Sequence, residues 1–481
     1  MDKEFIIAIE LGSSKMTGIA GKKNLDGSIT ILAVAKEDST ICIRKGVAYN
    51  IDKTTVALTN LVKKLKNALK TDIAQVYVGV SGQSIRSVKN TIVKELPDDT
   101  IITQNMVDSI MDANRAMTYP DQEILEAATQ EYKVDSIYQP DPVGIECKRL
   151  EGNFLNILWR KQFYRKLKSC FENAHIKVAE MYLAPIALAD HVLTEVERRS
   201  GCVLVDLGAD TTTVAVYTRN VLRHLVVIPL GSNNITKDIM SLDIDRDKAE
   251  ALKLRYADAF VEGDATDEKQ AINIGGDQSI DRNTLADIIE ARTQEIIENA
   301  WMQVPSEYVD KLLCGIVLTG GGSNMKNIEK AFQQATNIQK IRTAKFVNIT
   351  INTAYPDLLP HNGTMNAVLS VLAKGNENCA GGDLANDLFG SNYEATRSNA
   401  KAEEEKKAAE EAQRKAEEER QKKEEAERQA EEEARRQAEE EARRQAEEEA
   451  RRNNSIAHKL LKSLKRFGST IMAADENEDT K

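Results

Sequence analysis

The sequence predicts an α/β fold of two lobes around one cleft. A small α+β domain is inserted into the first lobe, and a charged helical spacer and a C-terminal amphipathic helix follow. Three observations carry this: two matched strand–turn–strand signatures, a glycine triplet behind a later strand, and an abrupt change of composition near Cys379.

The first signature reads Phe5-Ile6-Ile7-Ala8-Ile9-Glu10-Leu11-Gly12-Ser13-Ser14-Lys15, and the second Cys202-Val203-Leu204-Val205-Asp206-Leu207-Gly208-Ala209-Asp210-Thr211-Thr212-Thr213. Each is an apolar strand that closes on an acidic residue, followed by a Gly/Ser/Thr turn and a second β-prone run. Glycine lets backbone approach a phosphate closely, and successive turn N–H groups form an anion-binding concavity. Glu10 and Asp206, at the strand ends, suit Mg²⁺ held through water, because this ion gives up its waters reluctantly. One such hairpin reads equally as a plain tight turn. Two of them, followed by a third glycine motif, point to two half-domains that grip one nucleotide from both sides. The third motif is Gly315-Ile316-Val317-Leu318-Thr319-Gly320-Gly321-Gly322-Ser323-Asn324-Met325, a strand, a triplet and a helix expected over 325–335. The triplet removes side chains where a flat base and ribose could lie against backbone.

The first lobe is expected over 1–83 and 165–198, with a small α+β domain inserted at 84–164. Residues 51–69 read as an amphipathic helix with Val56, Leu58, Leu61, Val62, Leu65 and Leu69 on its buried stripe. A strand at 74–81 follows. The insert reads as a polar hairpin, a helix over 103–117 and strands near 128–137, 143–150 and 154–159, with a turn at Gln139-Pro140-Asp141-Pro142. A helix over 161–174 leads back to the lobe. The second lobe takes 199–240 and 306–378, with a small subdomain at 241–305. In that subdomain 285–304 reads as a long helix with Leu285, Ile288, Ile289, Ile296, Ile297 and Trp301 inward, and 261–281 as a polar stretch without a firm element.

Composition bounds the functions. At 481 residues the chain holds several domains. Asp2-Lys3-Glu4 leads straight into a core strand, so no signal peptide is expected. No apolar run reaches the roughly 20 residues that span a bilayer. The six cysteines are scattered without CxxC pairing, which fits a reducing compartment and argues against disulfides or zinc. A net charge of −11 argues against nucleic acid as a partner.

The three glycine motifs, in this order, resemble the actin-like ATPase superfamily. Val78-Gly79-Val80-Ser81-Gly82, the turn Pro142-Val143-Gly144, the strand over 152–159, and Leu222-Arg223-His224 followed by Val227-Ile228-Pro229-Leu230-Gly231 narrow the resemblance to the FtsA family of division proteins. The resemblance covers residues 3–375 and implies an actin-like two-lobed ATPase fold with ATP and Mg²⁺ as cofactors. It places Gly12, Ser13, Ser14, Lys15, Asp206, Gly208 and Thr211 on the phosphates, and Gly320, Gly321 and Gly322 near adenine and ribose. Glu250 and Lys253, one helical turn apart, match a helix that reaches the adenosine; an ordinary surface ion pair is the alternative. The resemblance further implies filaments on the cytoplasmic face of the bacterial inner membrane at the division site. There the family tethers the tubulin-like GTPase FtsZ by its C-terminal peptide, through the region around 240–300, and recruits later division proteins. A small-molecule kinase and a pilus-assembly scaffold are the alternatives on the same fold.

This chain departs from the pattern in two places. Glu10 stands where the superfamily has aspartate. Ala209 and Asp210 replace glycines of the second turn, and Thr213 replaces an acid. A carboxylate beside a triphosphate is repulsive, so the expectation is that nucleotide binds and that hydrolysis runs well below roughly 10 per second, the typical enzymatic turnover.

Beyond a linker at 379–400, residues 401–452 are a charged run in which Arg-Gln-Ala-Glu-Glu-Glu-Ala-Arg repeats with a period of eight. Alanine recurs every four residues and so forms no seam for a coiled coil. A stiff single helix is expected, with disorder as the alternative. Residues 454–472 are different in kind. Ile456, Leu460, Leu461, Leu464, Phe467 and Ile471 share one face of a helix, and Lys459, Lys462, Lys465 and Arg466 lie opposite. A basic amphipathic helix of this type lies in the plane of an anionic leaflet, while docking in a protein groove is the alternative. Residues 473–481 form an acidic tail.

Overall fold

The structure is a computed structural model that describes residues 4–261, 271–275, 278–381, 442–451 and 456–462. The chain opens with the hairpin β1 (Ile6–Leu11) and β2 (Lys15–Lys23), then β3 (Ile29–Asp38), the short pair β4 (Ile43–Arg44) and β5 (Val47–Ala48), helix α1 (Ile51–Leu69) and β6 (Val76–Val80). The excursion β7 (Arg86–Ile101), α2 (Gln104–Arg115), β8 (Gln122–Val134), β9 (Ile137–Gln139) and β10 (Glu146–Arg160) follows. Then α3 (Lys161–Asn173), β11 (Val178–Leu183), α4 (Ala184–Val192) and α5 (Glu195–Ser200) lead to β12 (Cys202–Leu207), β13 (Thr212–Thr218) and β14 (Val221–Ile228). The remainder is α6 (Ser232–Met240), α7 (Arg246–Tyr256), β15 (Ala271–Gly275), β16 (Gln278–Asp281), α8 (Arg282–Trp301), α9 (Ser306–Val309), β17 (Ile316–Thr319), α10 (Ile328–Thr336), β18 (Ile341–Thr343), β19 (Ile351–Asn352) and α11 (Asn366–Lys374).

Two sheets carry the lobes, and they repeat one topology. The first runs β11-β6-β1-β2-β3-β19, and the second begins β18-β17-β12-β13-β14. In each, an antiparallel three-strand meander adds two parallel strands beside its first member. The hairpin registers also match. Leu11 pairs with Met16 and Leu207 with Thr212, so residues 12–15 and 208–211 form four-residue loops. The central strands are buried on both faces, as parallel neighbours demand. In β12, Val203, Val205 and Leu207 pack with the second lobe's own core, while Cys202 and Leu204 join the core of the first.

The second sheet continues past β14 through β7-β10-β8-β9, so the excursion over residues 86–160 is welded to the second lobe although the first lobe's chain enters and leaves it. The Ser87 hydroxyl accepts from Leu225 N at 2.8 Å, and Gln130 Nε2 donates to Leu222 O at 2.8 Å. The excursion has its own small core around Ile110, Tyr132, Leu150 and Phe154.

Several elements differ from their sequence reading. The polar hairpin expected after residue 84 is one long strand, β7, paired along β10. The strands expected at 143–150 and 154–159 are also one, because Gly152 keeps the strand continuous where Ile110 and Phe154 would block a side chain. Val56 is 59% exposed, and Ala57 and Thr54 fill the inner face of α1 beside Leu58 and Leu61. Within the stretch read as lacking a firm element, residues 271–275 and 278–281 form the antiparallel pair β15–β16. Helix α10 starts three residues late, after a 3₁₀ turn over Gly321–Asn324.

The tail forms a separate unit. Its described residues, 442–451 and 456–462, are helical and exposed. Arg443 pairs with Glu447 at 3.6 Å, one helical turn on. Among the described residues no helix is long and apolar enough to cross a membrane.

The excursion's core is small, so it should be the first part to open. Phe154→Ala, which removes the ring stacked edge-on against Tyr132, should cost about 3–5 kcal/mol locally. Limited proteolysis should then cut within residues 86–160 before either lobe, whereas simultaneous loss of all parts would contradict this.

Candidate functional site

The two matched loops are pinned from behind. In the first, Ser39 takes the carbonyls, its hydroxyl donating to Gly12 O at 2.5 Å and its N–H to Ser14 O at 3.4 Å. In the second, the first turn of α6 does the same work. Ser232 N donates to Gly208 O at 3.0 Å and Asn233 N to Ala209 O at 2.7 Å. Gly208 N is already on Thr211 O at 2.9 Å, and with the loop carbonyls held by protein donors the loop N–H groups not used inside the hairpin face an anion-sized space. Neither loop has room for a side chain at its glycine. A Cβ on Gly12 would meet Lys15 O at 2.6 Å, and one on Gly208 would meet Thr211 O at 2.8 Å.

Both loops open on one cavity of about 630 Å³ between the lobes. Glu10, Gly12, Ser13, Ser14, Lys15, Asp206, Gly208, Thr211, Glu250, Lys253, Gly320, Gly321 and Gly322 all line it. Three distant segments thus converge as the sequence reading required. Gly320 sits at φ 85°, in the left-handed region, against the Asp206 carboxylate, so the turn after β17 requires glycine. Gly321 has only Thr364 Cγ2 near its missing Cβ, at 3.6 Å, and leaves its side of the cavity open.

Glu250 and Lys253 are more than a surface pair. Lys253 is 6% exposed and pairs with Glu250 at 2.7 Å. Its ammonium also donates to Thr236 Oγ1 at 2.9 Å and Ser232 O at 3.3 Å, and Thr236 donates to Glu250 Oε2 at 2.6 Å. A desolvated cation with three oxygen partners is a fixed feature of the wall.

At the strand ends, burial and the nearby Asp206 carboxylate push Glu10 up to about 7, and burial pushes Asp206 up to about 6. Burial, with Lys36 close by, pushes the Lys15 ammonium down. No group of three or more His, Cys, Asp or Glu side chains suited to a metal occurs among the described residues. Two carboxylates in a roomy polar cleft fit a hydrated Mg²⁺ that completes its shell with water and phosphate.

Asp210 differs from expectation. Its neighbours Ala209 and Thr211 line the cavity and it does not. One of its oxygens accepts from Lys45 N at 3.1 Å and the other from Asn233 Nδ2 at 2.7 Å.

A family model described as "Cell division protein FtsA" matches residues 203–368, and one described as "SHS2 domain inserted in FTSA" matches residues 82–158. The cell division protein FtsA of Neisseria meningitidis serogroup B is 32% identical over 334 residues, which cover 68% of this chain and 80% of that protein. This chain belongs to the FtsA family of cell division proteins. The FtsA of Escherichia coli K12 is 28% identical over 370 residues, 74% of this chain and 87% of that protein. Among solved structures, the PilM–PilN type IV pilus biogenesis complex matches at a TM-score of 0.52 and 14% identity, over 76% of this chain and 97% of that one, a likeness of fold alone.

The FtsA-family cleft has walls that sequence reasoning missed. Ser232 and Asn233 enter as the first turn of α6, Leu254 as the residue after Lys253, and Asn362 and Thr364 as the turn before α11. Asn362-Gly363 is a strong turn signal, and it was the legible sign of a fourth segment. Nothing local marks Ser232 or Asn233. Of the tail residues read as membrane-binding, Ile456, Lys459, Leu460, Leu461 and Lys462 lie on an exposed helical turn. Leu464, Lys465, Arg466 and Phe467 lie outside the described residues.

The raised carboxyls have a thermodynamic sign. Unfolded carboxyls titrate near pH 4. Between there and about pH 7 the folded chain keeps protons that the unfolded chain has released, so Glu10 and Asp206 make stability fall as pH rises. In nucleotide-free, metal-free buffer Glu10→Gln should therefore stabilise the chain by about 1–3 kcal/mol at pH 8 and have little effect at pH 5. Urea melts at the two pH values check this, and equal gains at both would contradict it.

Proposed function

We propose that this division protein binds Mg²⁺ and ATP in the cleft between its lobes, polymerises, and holds the FtsZ ring to the cytoplasmic face of the membrane through its terminal amphipathic helix. The observation that carries the nucleotide part is the convergence of Gly12, Gly208 and Gly321 on one cavity. Loops 12–15 and 208–211 bind the phosphates through backbone N–H groups, with the Lys15 ammonium beside them. Glu10 and Asp206 hold the hydrated cation, which when bound offsets the triphosphate charge. Gly320, Gly321 and Gly322 leave a backbone wall for the adenosine, and Glu250 and Lys253 face its ribose. Leu254, 78% exposed at the cleft, and Met325 offer the base an apolar edge. Hydrolysis is slow in this reading, since Thr213, opposite Asp206, offers no second carboxylate in the hairpin.

The membrane part rests on the pattern of 454–472. Each buried apolar side chain contributes about 1.5–3 kcal/mol at most, and each basic residue about 1 kcal/mol near anionic lipid. Ordering the segment costs about 1–2 kcal/mol per residue. A single copy therefore binds reversibly, and many copies on one filament bind firmly by avidity. FtsZ as the partner comes from the family alone.

Two tests follow. Gly321→Val fills the cavity without striking backbone, so it should fold normally and weaken binding of a fluorescent ATP analogue at least tenfold, about 1.4 kcal/mol. Unchanged affinity would remove the nucleotide from this cavity. In flotation with anionic vesicles and ATP, the full chain should rise with lipid and a chain lacking 454–472 should stay below, while equal flotation would reject the anchor.

A further inference from the structure

At the phosphate end of the cleft, β4 and β5 are joined by a two-residue turn, Lys45-Gly46. Its φ angles of 51° and 72° are both positive, as a type I′ hairpin turn requires. The strand pairs are Ile43 with Ala48 and Arg44 with Val47, so the Lys45 N–H takes no part in the ladder. Among the described residues its acceptor is the Asp210 carboxylate of the second lobe, at 3.1 Å. The same turn reaches two other places. Gly46 N donates to the Ser13 hydroxyl at 2.9 Å, and Lys45 O accepts from Gln83 N at 2.9 Å, next to the entry into β7. The turn cannot swing freely, because a Cβ at Gly46 would stand 2.6 Å from Gly82 Cα and 2.8 Å from Ser81 O. On the other side Asp210 is fixed by Asn233 Nδ2 at 2.7 Å, and Asn233 itself caps the second loop through its N–H.

We infer that Asp210 is a positioning residue: a brace across the cleft that joins the phosphate loops of the two lobes before any ligand arrives and aims the Ser13 hydroxyl. The inference deepens the nucleotide reading and rests on it for its consequence, though the brace itself needs no nucleotide. Hydrogen bonds to an ionised acceptor are stronger than neutral ones, so a carboxylate here holds the Lys45 N–H where glycine would leave it to water. A ligand that finds both loops already opposed binds more tightly, since apparent affinity scales with the population of the competent state.

The brace and simple charge repulsion predict opposite signs. If Asp210 acted on the phosphates mainly as a negative charge, any neutral replacement would tighten ATP binding. If it is a brace, Asp210→Asn, which keeps an oxygen acceptor, should be nearly silent, and Asp210→Ala should weaken binding.

Amide hydrogen exchange on the full nucleotide-free chain tests this directly. At Lys45, Asp210→Ala should speed exchange at least tenfold and Asp210→Asn less than threefold. Asn233→Ala, which frees the carboxylate on its far side, should fall between them and serves if the first variant folds poorly. Binding of Mg²⁺-ATP should weaken about fivefold in Asp210→Ala and stay within about twofold in Asp210→Asn. Unaltered Lys45 exchange in both alanine variants, or identical behaviour of Asp210→Ala and Asp210→Asn, would overturn the brace. Failure of the unaltered chain to bind Mg²⁺-ATP, together with the predicted exchange change, would reject the nucleotide reading and uphold the brace.

Discussion

Two short loops from separate lobes have to present backbone to the same space, and the rest of the architecture serves that requirement. A four-residue loop with a buried carboxylate at its root is held open only if its carbonyls are taken from behind. Ser39 does this for the first loop and the start of α6 for the second. The repeated strand order of the two sheets places both loops at equivalent sheet ends, so the lobes face each other loop to loop. The strand-end acids are the cost of this arrangement: burial pushes Glu10 and Asp206 up together. A site that raises two acids in the absence of ligand is poised to favour a cation when one arrives.

The same lobes are coupled at a distance. The excursion over 86–160 leaves the first lobe's chain yet extends the second lobe's sheet through β7. Gln83, at its root, touches the Lys45 turn through its N–H and takes the Trp159 indole N–H on its carbonyl at 3.2 Å. Gln83 thus joins the Lys45 turn to the last strand of the excursion through two hydrogen bonds.

The repeated loops and the glycine triplet were legible because each is a local pattern, a run of apolar residues that ends in an acid or a glycine. Helix α1 was legible to the residue, since Asn50 caps it through Lys53 N and Lys70 closes it in the left-handed region. What failed to read was non-local. Nothing in the sequence around Gly152 says that its strand runs on, because the obstacles to a side chain are Ile110, on another element, and the Phe154 ring, whose placement beside Gly152 is set by the fold. The partners of Asp210 could not be read for the same reason. Its neighbours in sequence suggested a carboxylate among phosphates, while its partners, Lys45 and Asn233, come from elsewhere. Ser232, Asn233 and Leu254 entered the cleft wall as by-products of helices that are placed by their cores.

The most direct measurement is a crystal structure of the full chain with Mg²⁺ and a non-hydrolysable ATP analogue. The account predicts a triphosphate between the loops of Gly12 and Gly208, its cation nearest Glu10 and Asp206, and adenosine along Gly321. An analogue that touches one loop only, or that occupies a different cavity, would contradict it.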